Sequence, residues 1–263
     1  MEFRELFSSF GVAVSRETKI GVDLEFLLGT MFEPVIYILL FGPLMGKLTG
    51  GVDVNGERIS YLAYMFPGVL TLVSINQGFR GAATFIQDRF YGGLETLFTL
   101  PVSRSVLFVA KIFAACLRAL VAMAVLSVLA TVISKDVSMT LTGFVGSFLV
   151  NSTLVVMLSS FMIYLLSKSQ NPNLPLAISG ILILPMMFLS TVFYPESVFA
   201  GSKILKILVS INPMTHASKL VRSFIYVMPL QPSVLAVSLT YLLVLASLGM
   251  LLGEIGFRRA LER

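Results

Sequence analysis

The ionisable side chains set inside apolar sequence are the first candidates for chemistry in this chain: Glu33, Arg80, Lys111 and Arg118. A charge at membrane depth is expensive, so it defaults to a functional reading as part of an ion path or a counter-charge. A plainer reading stands beside it, in which Arg80, Lys111 and Arg118 lie near the ends of their runs or pair with Glu33 or Asp88. The single His, His216, follows Pro213 with no Cys or second His nearby, so no metal site is expected within the chain. Cys116 sits in an apolar helical run and reads as a small buried hydrophobe, and a single Cys excludes an internal disulfide. Serines are abundant, but no Gly-x-Ser-x-Gly appears, and no catalytic residue is assigned. The nearest approach to a phosphate loop is Gly42-Pro-Leu-Met-Gly46-Lys47-Leu48. It is one residue short between its glycines and has Leu where Ser or Thr should hold Mg²⁺. Any work this protein performs must draw energy from another chain or from an ion gradient.

A polar and amphipathic island, Gln87 to Arg104, interrupts two long apolar runs. Asp88 and Arg89 end the preceding helix at the surface, and Gly92-Gly93 breaks it. Leu94, Leu97 and Phe98 then share one face of a short helix, with Glu95 near its N-terminus, where the helix dipole favours an anion. Pro101 ends that helix, and Ser103, just before Arg104, is a suitable N-cap for the next run. The island is either a plain interfacial connector or a docking helix that takes force from a cytoplasmic partner. Its length favours the second.

The elements that must position these residues are membrane helices. Of 263 residues 56% are hydrophobic and 13% charged, with a mean hydropathy of +0.91; a soluble domain carries about 25% charged residues. Lipid is the solvent that fits. A bilayer core of about 30 Å needs about 20 helical residues. Six stretches qualify: Phe26–Met45, Ile59–Phe79 continuing to Ile86, Val106–Ile133, and parts of Val137–Ser167, Leu174–Tyr194 and Ser223–Gly253. Period-two alternation is missing and the runs are too long for β-barrel strands. The net charge of +5 is scattered, without the basic patch that nucleic acid demands. Charges such as Arg4, Glu5, Arg16 and Lys19 exclude a cleavable signal peptide in residues 1–25. There Phe3, Leu6, Phe7, Phe10 and Val14 fall on one helical face. That face suits a helix in the membrane interface or one packed on the protein's own cytoplasmic side, and the two are compatible.

With both termini inside, the cytoplasmic side collects Arg4, Arg16, Lys19, Arg89, Arg104, Lys111, Lys168, Arg258, Arg259 and Arg263. The other side holds Lys47, Arg58, Lys135, Lys203, Lys206, Lys219 and Arg222, so the Lys/Arg bias favours N-in and C-in. The connection Pro195–Arg222 is more than a loop. Ile204, Leu205, Leu208 and Ile211 form an apolar stripe, and Asn212-Pro213 stops it. Short helices dipping into the outer leaflet over residues 195–230 are expected, and they make this end a gate or exit.

Three phrases resemble the permease subunits of type-2 ABC exporters, a group that includes drug, nodulation-factor and polysaccharide export permeases. They are Phe66-Pro67-Gly68; Gly93-Leu-Glu95 through Leu100-Pro101-Val-Ser-Arg104 with Leu107 and Ala110-Lys111; and Phe188-Leu-Ser-Thr-Val-Phe-Tyr-Pro195 with Ile211-Asn-Pro213 and Arg222. One departure is Ser190-Thr191, where the family often has a Gly. The resemblance covers essentially the whole chain. It implies an all-α polytopic fold with an N-terminal interfacial helix over residues 1–25. A six-span domain would follow over 26–263, with a coupling helix between spans two and three and re-entrant outer helices between spans five and six. It further implies a permease dimer in the cell membrane, homomeric or of paralogues, with two ABC ATP-binding subunits that hold ATP and Mg²⁺. Asp88, Arg89, Gly92, Gly93, Leu94, Glu95, Leu97, Phe98, Pro101 and Arg104 would then couple to the ATPase. Phe193, Tyr194, Pro195, Asn212, Pro213 and Arg222 would shape the outer gate, and Glu33, Pro67 and Gly68 would line the path. Two other classes have less behind them. An ion-coupled secondary carrier prefers an inverted repeat and paired carboxylates, and an intramembrane enzyme needs an Asp, His or Lys cluster. Neither is found.

Overall fold

A computed structural model describes residues 10–12, 14–15, 24–54, 57–92, 103–226 and 230–260. The first span is built in three pieces: α1 (Leu24–Ile36), a π-helical turn (Tyr37–Phe41) and α2 (Gly42–Thr49). Pro34 lies inside α1 and cannot donate a backbone hydrogen bond, and the wide turn follows directly after it. Gly50 ends α2 in the left-handed region at φ 68°, donating to the Gly46 carbonyl at 2.9 Å. A short hairpin, β1 (Val52–Val54) with β2 (Glu57–Ile59), leads into α3 (Tyr61–Phe90), capped by the Ser60 hydroxyl. This hairpin is the one departure from an all-helical fold among the described residues.

The remaining elements are α4 (Arg104–Ile133), α5 (Leu141–Leu166), α6 (Leu174–Phe188), a 3₁₀ turn (Glu196–Phe199), α7 (Lys203–Ile211), α8 (Pro213–Tyr226) and α9 (Pro232–Ala260). Ser103 caps α4 as expected, accepting from the Val106 N–H at 3.4 Å. At 30 residues, α3 is about 45 Å long, and every residue from Tyr61 to Ile75 is buried. It is the axle of the bundle. Small residues bring its neighbours close. A Cβ on Gly81 would meet Ser159 of α5 at 2.6 Å, and one on Gly253 of α9 would meet Ser160 of α5 at 2.7 Å. Phe257 of α9 packs on Phe85 of α3 at 4.7 Å and on Phe108 of α4 at 5.5 Å. These contacts gather the end of α3, the start of α4 and the end of α9 at one end of the bundle, the island end.

By length and composition, four of the six expected spans qualify: Gly29–Thr49, Arg104–Ile133, Leu141–Leu166 and Pro232–Ala260. The expected second span is α3, long enough but enriched in polar residues because protein surrounds it. The expected fifth is α6, apolar but only 15 residues, about 22 Å, so it stops short of a full crossing. The sixth begins at Pro232, within the expected stretch Ser223–Gly253. Of the N-terminal amphipathic stretch, residues 10–12 and 14–15 are helical. Phe10 rests against Phe113 of α4 at 5.8 Å, so at least this part packs on the protein's own surface. The rest of the proposed interfacial helix lies outside the described residues.

Candidate functional site

At the island end, polar side chains lock α3 to α4 and α5, and α4 to α9. The Lys111 ammonium, its side chain 2% exposed, is ion-paired with Asp88. Of the alternatives open for Lys111, the structure shows the pairing with Asp88, across α3 and α4. Arg89 donates to the Ser167 carbonyl just past α5, where the unpaired carbonyls and dipole of a helix C-terminus favour a cation. In the first turn of α4, the Ser105 hydroxyl donates to Glu254 of α9 at 2.7 Å and accepts from Arg258 at 2.9 Å. Arg258 also pairs with Glu254 at 2.7 Å. Tyr91 and Gly92 turn the chain away from α3, Gly92 at φ 77°, and Arg104 begins α4 in an exposed position. Gly93, Leu94, Glu95, Leu97, Phe98 and Pro101 lie outside the described residues. Asp88 and Arg89, assigned from sequence to the partner's surface, are both engaged within the chain.

At the opposite end, residues from three separated stretches close on the first turns of α3. Arg222 of α8 donates through Nη2 to the carbonyls of Tyr64 and Thr191, both at 3.1 Å. Its guanidinium lies 4.0 Å from the centre of the Tyr64 ring. The Tyr64 hydroxyl donates to the Thr191 carbonyl at 3.1 Å, and the Tyr61 hydroxyl to the Phe193 carbonyl at 3.0 Å. Asn212 donates to the Met186 and Leu189 carbonyls at the end of α6, each at 2.7 Å. Its own carbonyl oxygen accepts from the Met214 N–H at 2.9 Å, so one side chain closes α6 and starts α8. Phe193 packs among Tyr37 and Phe41 of the first span at 5.1 and 5.4 Å. Tyr194 and Pro195 lead into the 3₁₀ turn, and Pro213 is the first residue of α8. Ser190-Thr191, in place of the family's Gly, is buried, and Thr191 supplies the carbonyl on which Tyr64 and Arg222 converge.

Sequence reasoning missed Tyr61 and Tyr64. Their spacing of three just before Phe66-Pro67-Gly68 was the signal available, since it puts both hydroxyls on one face of α3. Missed as well was the use of His216. Its Nε2 bonds the Ser210 carbonyl at 2.8 Å and its Nδ1 the Ser238 hydroxyl at 3.0 Å. Nε2 must carry the proton to donate to a carbonyl, so Nδ1 accepts from Ser238 in the neutral ring. His216 thus ties the end of α7 to α8 and α9. Pro67 and Gly68 are buried beneath the cap, where a Cβ on Gly68 would lie 2.6 Å from Val192. Glu33 instead faces a cavity shared by α1, α3 and α6. No group of three His, Cys, Asp or Glu that could hold a metal occurs among the described residues.

The fold and its sites define a multi-pass helical membrane protein whose polar side chains clamp helices at both ends of the bundle. Residues 10–226 match the family described as ABC-2 type transporter, and the chain belongs to that family. It is a transmembrane permease of an ABC transporter. Permeases of this family typically carry no nucleotide-binding site and work with an ABC ATP-binding partner. A comparison with curated proteins finds no match.

Proposed function

We propose that this chain is the permease of an exporter in the cell membrane, paired with a second permease copy and driven by two ABC ATP-binding subunits. ATP and Mg²⁺ are held by those partners, and both termini face the cytoplasm. The six crossings include α3 as a protein-encased span, and α6 is completed in the outer leaflet by the 3₁₀ turn, α7 and α8. The observation that carries the reading is the lock at the island end: Asp88 on Lys111 and Arg89 on Ser167. Asp88 and Arg89 stand at the start of the Gln87–Arg104 island, so a push on the island reaches α3, α4 and α5 as one body. Closure of the ATP-binding subunits would drive two such islands together and shift the permease pair between packed states. At the far end, the cap held by Asn212 and Arg222 is the element that must yield for release.

The test is transport and ATP hydrolysis in the assembled complex. Charge reversal at Glu95, or Gly93→Pro, should uncouple hydrolysis from transport while the protein remains inserted and co-purifies with its ATPase. Full transport in both variants would remove the island from the mechanism.

A further inference from the structure

A cavity of about 180 Å³ opens between α1, α3 and α6 in the island half of the bundle. A void of about 150 Å³ holds a benzene, so this one takes a head group rather than a whole large cargo. Thr30 and Glu33 line it from α1, Asn76 and Arg80 from α3, and Leu176 and Ser179 from α6. Five of these six residues are polar or charged, which is unusual at one spot inside a membrane bundle, where apolar packing is the cheaper solution. Three features give the cavity a sign and a direction. Thr30 is 5% exposed, yet its hydroxyl has no hydrogen-bond partner, the condition of a group awaiting a ligand or water. Glu33 receives one hydrogen bond, from the Tyr37 hydroxyl at 3.0 Å. It forms no ion pair among the described residues. Arg80 stands at the other end, where a Cβ on Gly29 would be 3.6 Å from its Nη2, and it has an interaction of its own. Among the described residues, the Glu33 carboxylate is the one acidic group on the cavity wall.

We infer that this cavity binds an organic ammonium head group, with Glu33 as its counter-charge and the Thr30 hydroxyl accepting one of its N–H bonds. The Asn76 amide and the Ser179 hydroxyl complete the polar wall, and the apolar remainder of the cargo lies along the spans. The proposal rests on the exporter reading for its place in transport. It names the cargo class, an amphiphilic cation taken up in the half of the bundle nearest the island. Binding itself is a property of this chain and is measured without the ATPase.

The experiment is equilibrium binding of octylammonium to the full chain in uncharged maltoside detergent, with octyltrimethylammonium and octyl sulfate as competitors. Glu33→Gln should weaken octylammonium roughly 10- to 100-fold, the range for losing a hydrogen bond to a charged group. Thr30→Val should weaken octylammonium but leave octyltrimethylammonium unchanged, because the quaternary head has no N–H. Should Glu33→Gln fail to fold, Ser179→Leu fills the cavity without touching the charge and should abolish binding. Wild-type affinity in Glu33→Gln or in Ser179→Leu would overturn the proposal, as would displacement by octyl sulfate equal to that by octyltrimethylammonium. Loss of coupling in the Glu95 variants bears on the exporter reading alone, so the two failures are separable.

Discussion

Replacing Lys111 by Met asks whether the lock at the island end holds the bundle together and transmits force. Met keeps an unbranched apolar stem of similar reach, so packing around the removed ammonium is largely preserved. The Lys111 side chain is 2% exposed and the Asp88 carboxylate 20%. Removing one member of a fully buried pair costs about 3–5 kcal/mol because the survivor is stranded. Asp88 reaches water, which screens part of that loss and leaves roughly 1–2 kcal/mol. At about 2–4 °C per kcal/mol for a chain of this size, the unfolding midpoint in detergent should fall by about 2–8 °C. A double-mutant cycle with Asp88→Asn isolates the pair, and its coupling energy should exceed about 0.5 kcal/mol. In the reconstituted complex, transport per ATP should drop while co-purification with the ATPase is retained, because Lys111 lies on α4 and not in the island. An unchanged midpoint with full coupling in Lys111→Met, or a cycle indistinguishable from zero, would refute the lock.

Two further outcomes follow from the opposite end. Arg222→Lys replaces a fork that serves two carbonyls and a Tyr face with a single ammonium, and should cost about 1–3 kcal/mol, measured as a lower unfolding midpoint. Wild-type stability in that variant would mean that the cap is held elsewhere. His216 bonds the Ser210 carbonyl of α7 and the Ser238 hydroxyl of α9, so His216→Ala should cost about 1–2 kcal/mol, measured as a lower unfolding midpoint. A wild-type midpoint in that variant would show that the latch does not hold these helices.

Much of the fold was legible because lipid imposes strong rules. Apolar runs longer than a bilayer is thick have few alternatives to a helix, and α4, α5 and α9 fall where those runs lie. The Ser103 cap and the break at Asn212-Pro213 were readable from local chemistry. Other features were not. Hydropathy cannot distinguish α3, buried on all sides by protein, from a lipid-facing span. It also missed that α6 stops short, because the apolar run continues past Phe188 while the backbone does not. Arg222 was marked by the family phrase, but its partners are carbonyls of residues 158 and 31 positions away, and backbone carbonyls carry no sequence mark.

The sequence by itself determined that this is a helical membrane protein, with no phosphate-loop motif and with a polar island between two apolar runs. Composition, run length and motif spacing are properties of the chain read in order, so they survive without coordinates. Only the tertiary structure decided which polar groups meet. It placed Asp88 on Lys111, Arg222 on two distant carbonyls, His216 across three helices, and Glu33 on a cavity with an unpaired hydroxyl beside it. Each of these depends on helix rotation and depth relative to a neighbour. A few small residues, Gly81 and Gly253 among them, set those by allowing close approach that no single helix specifies alone.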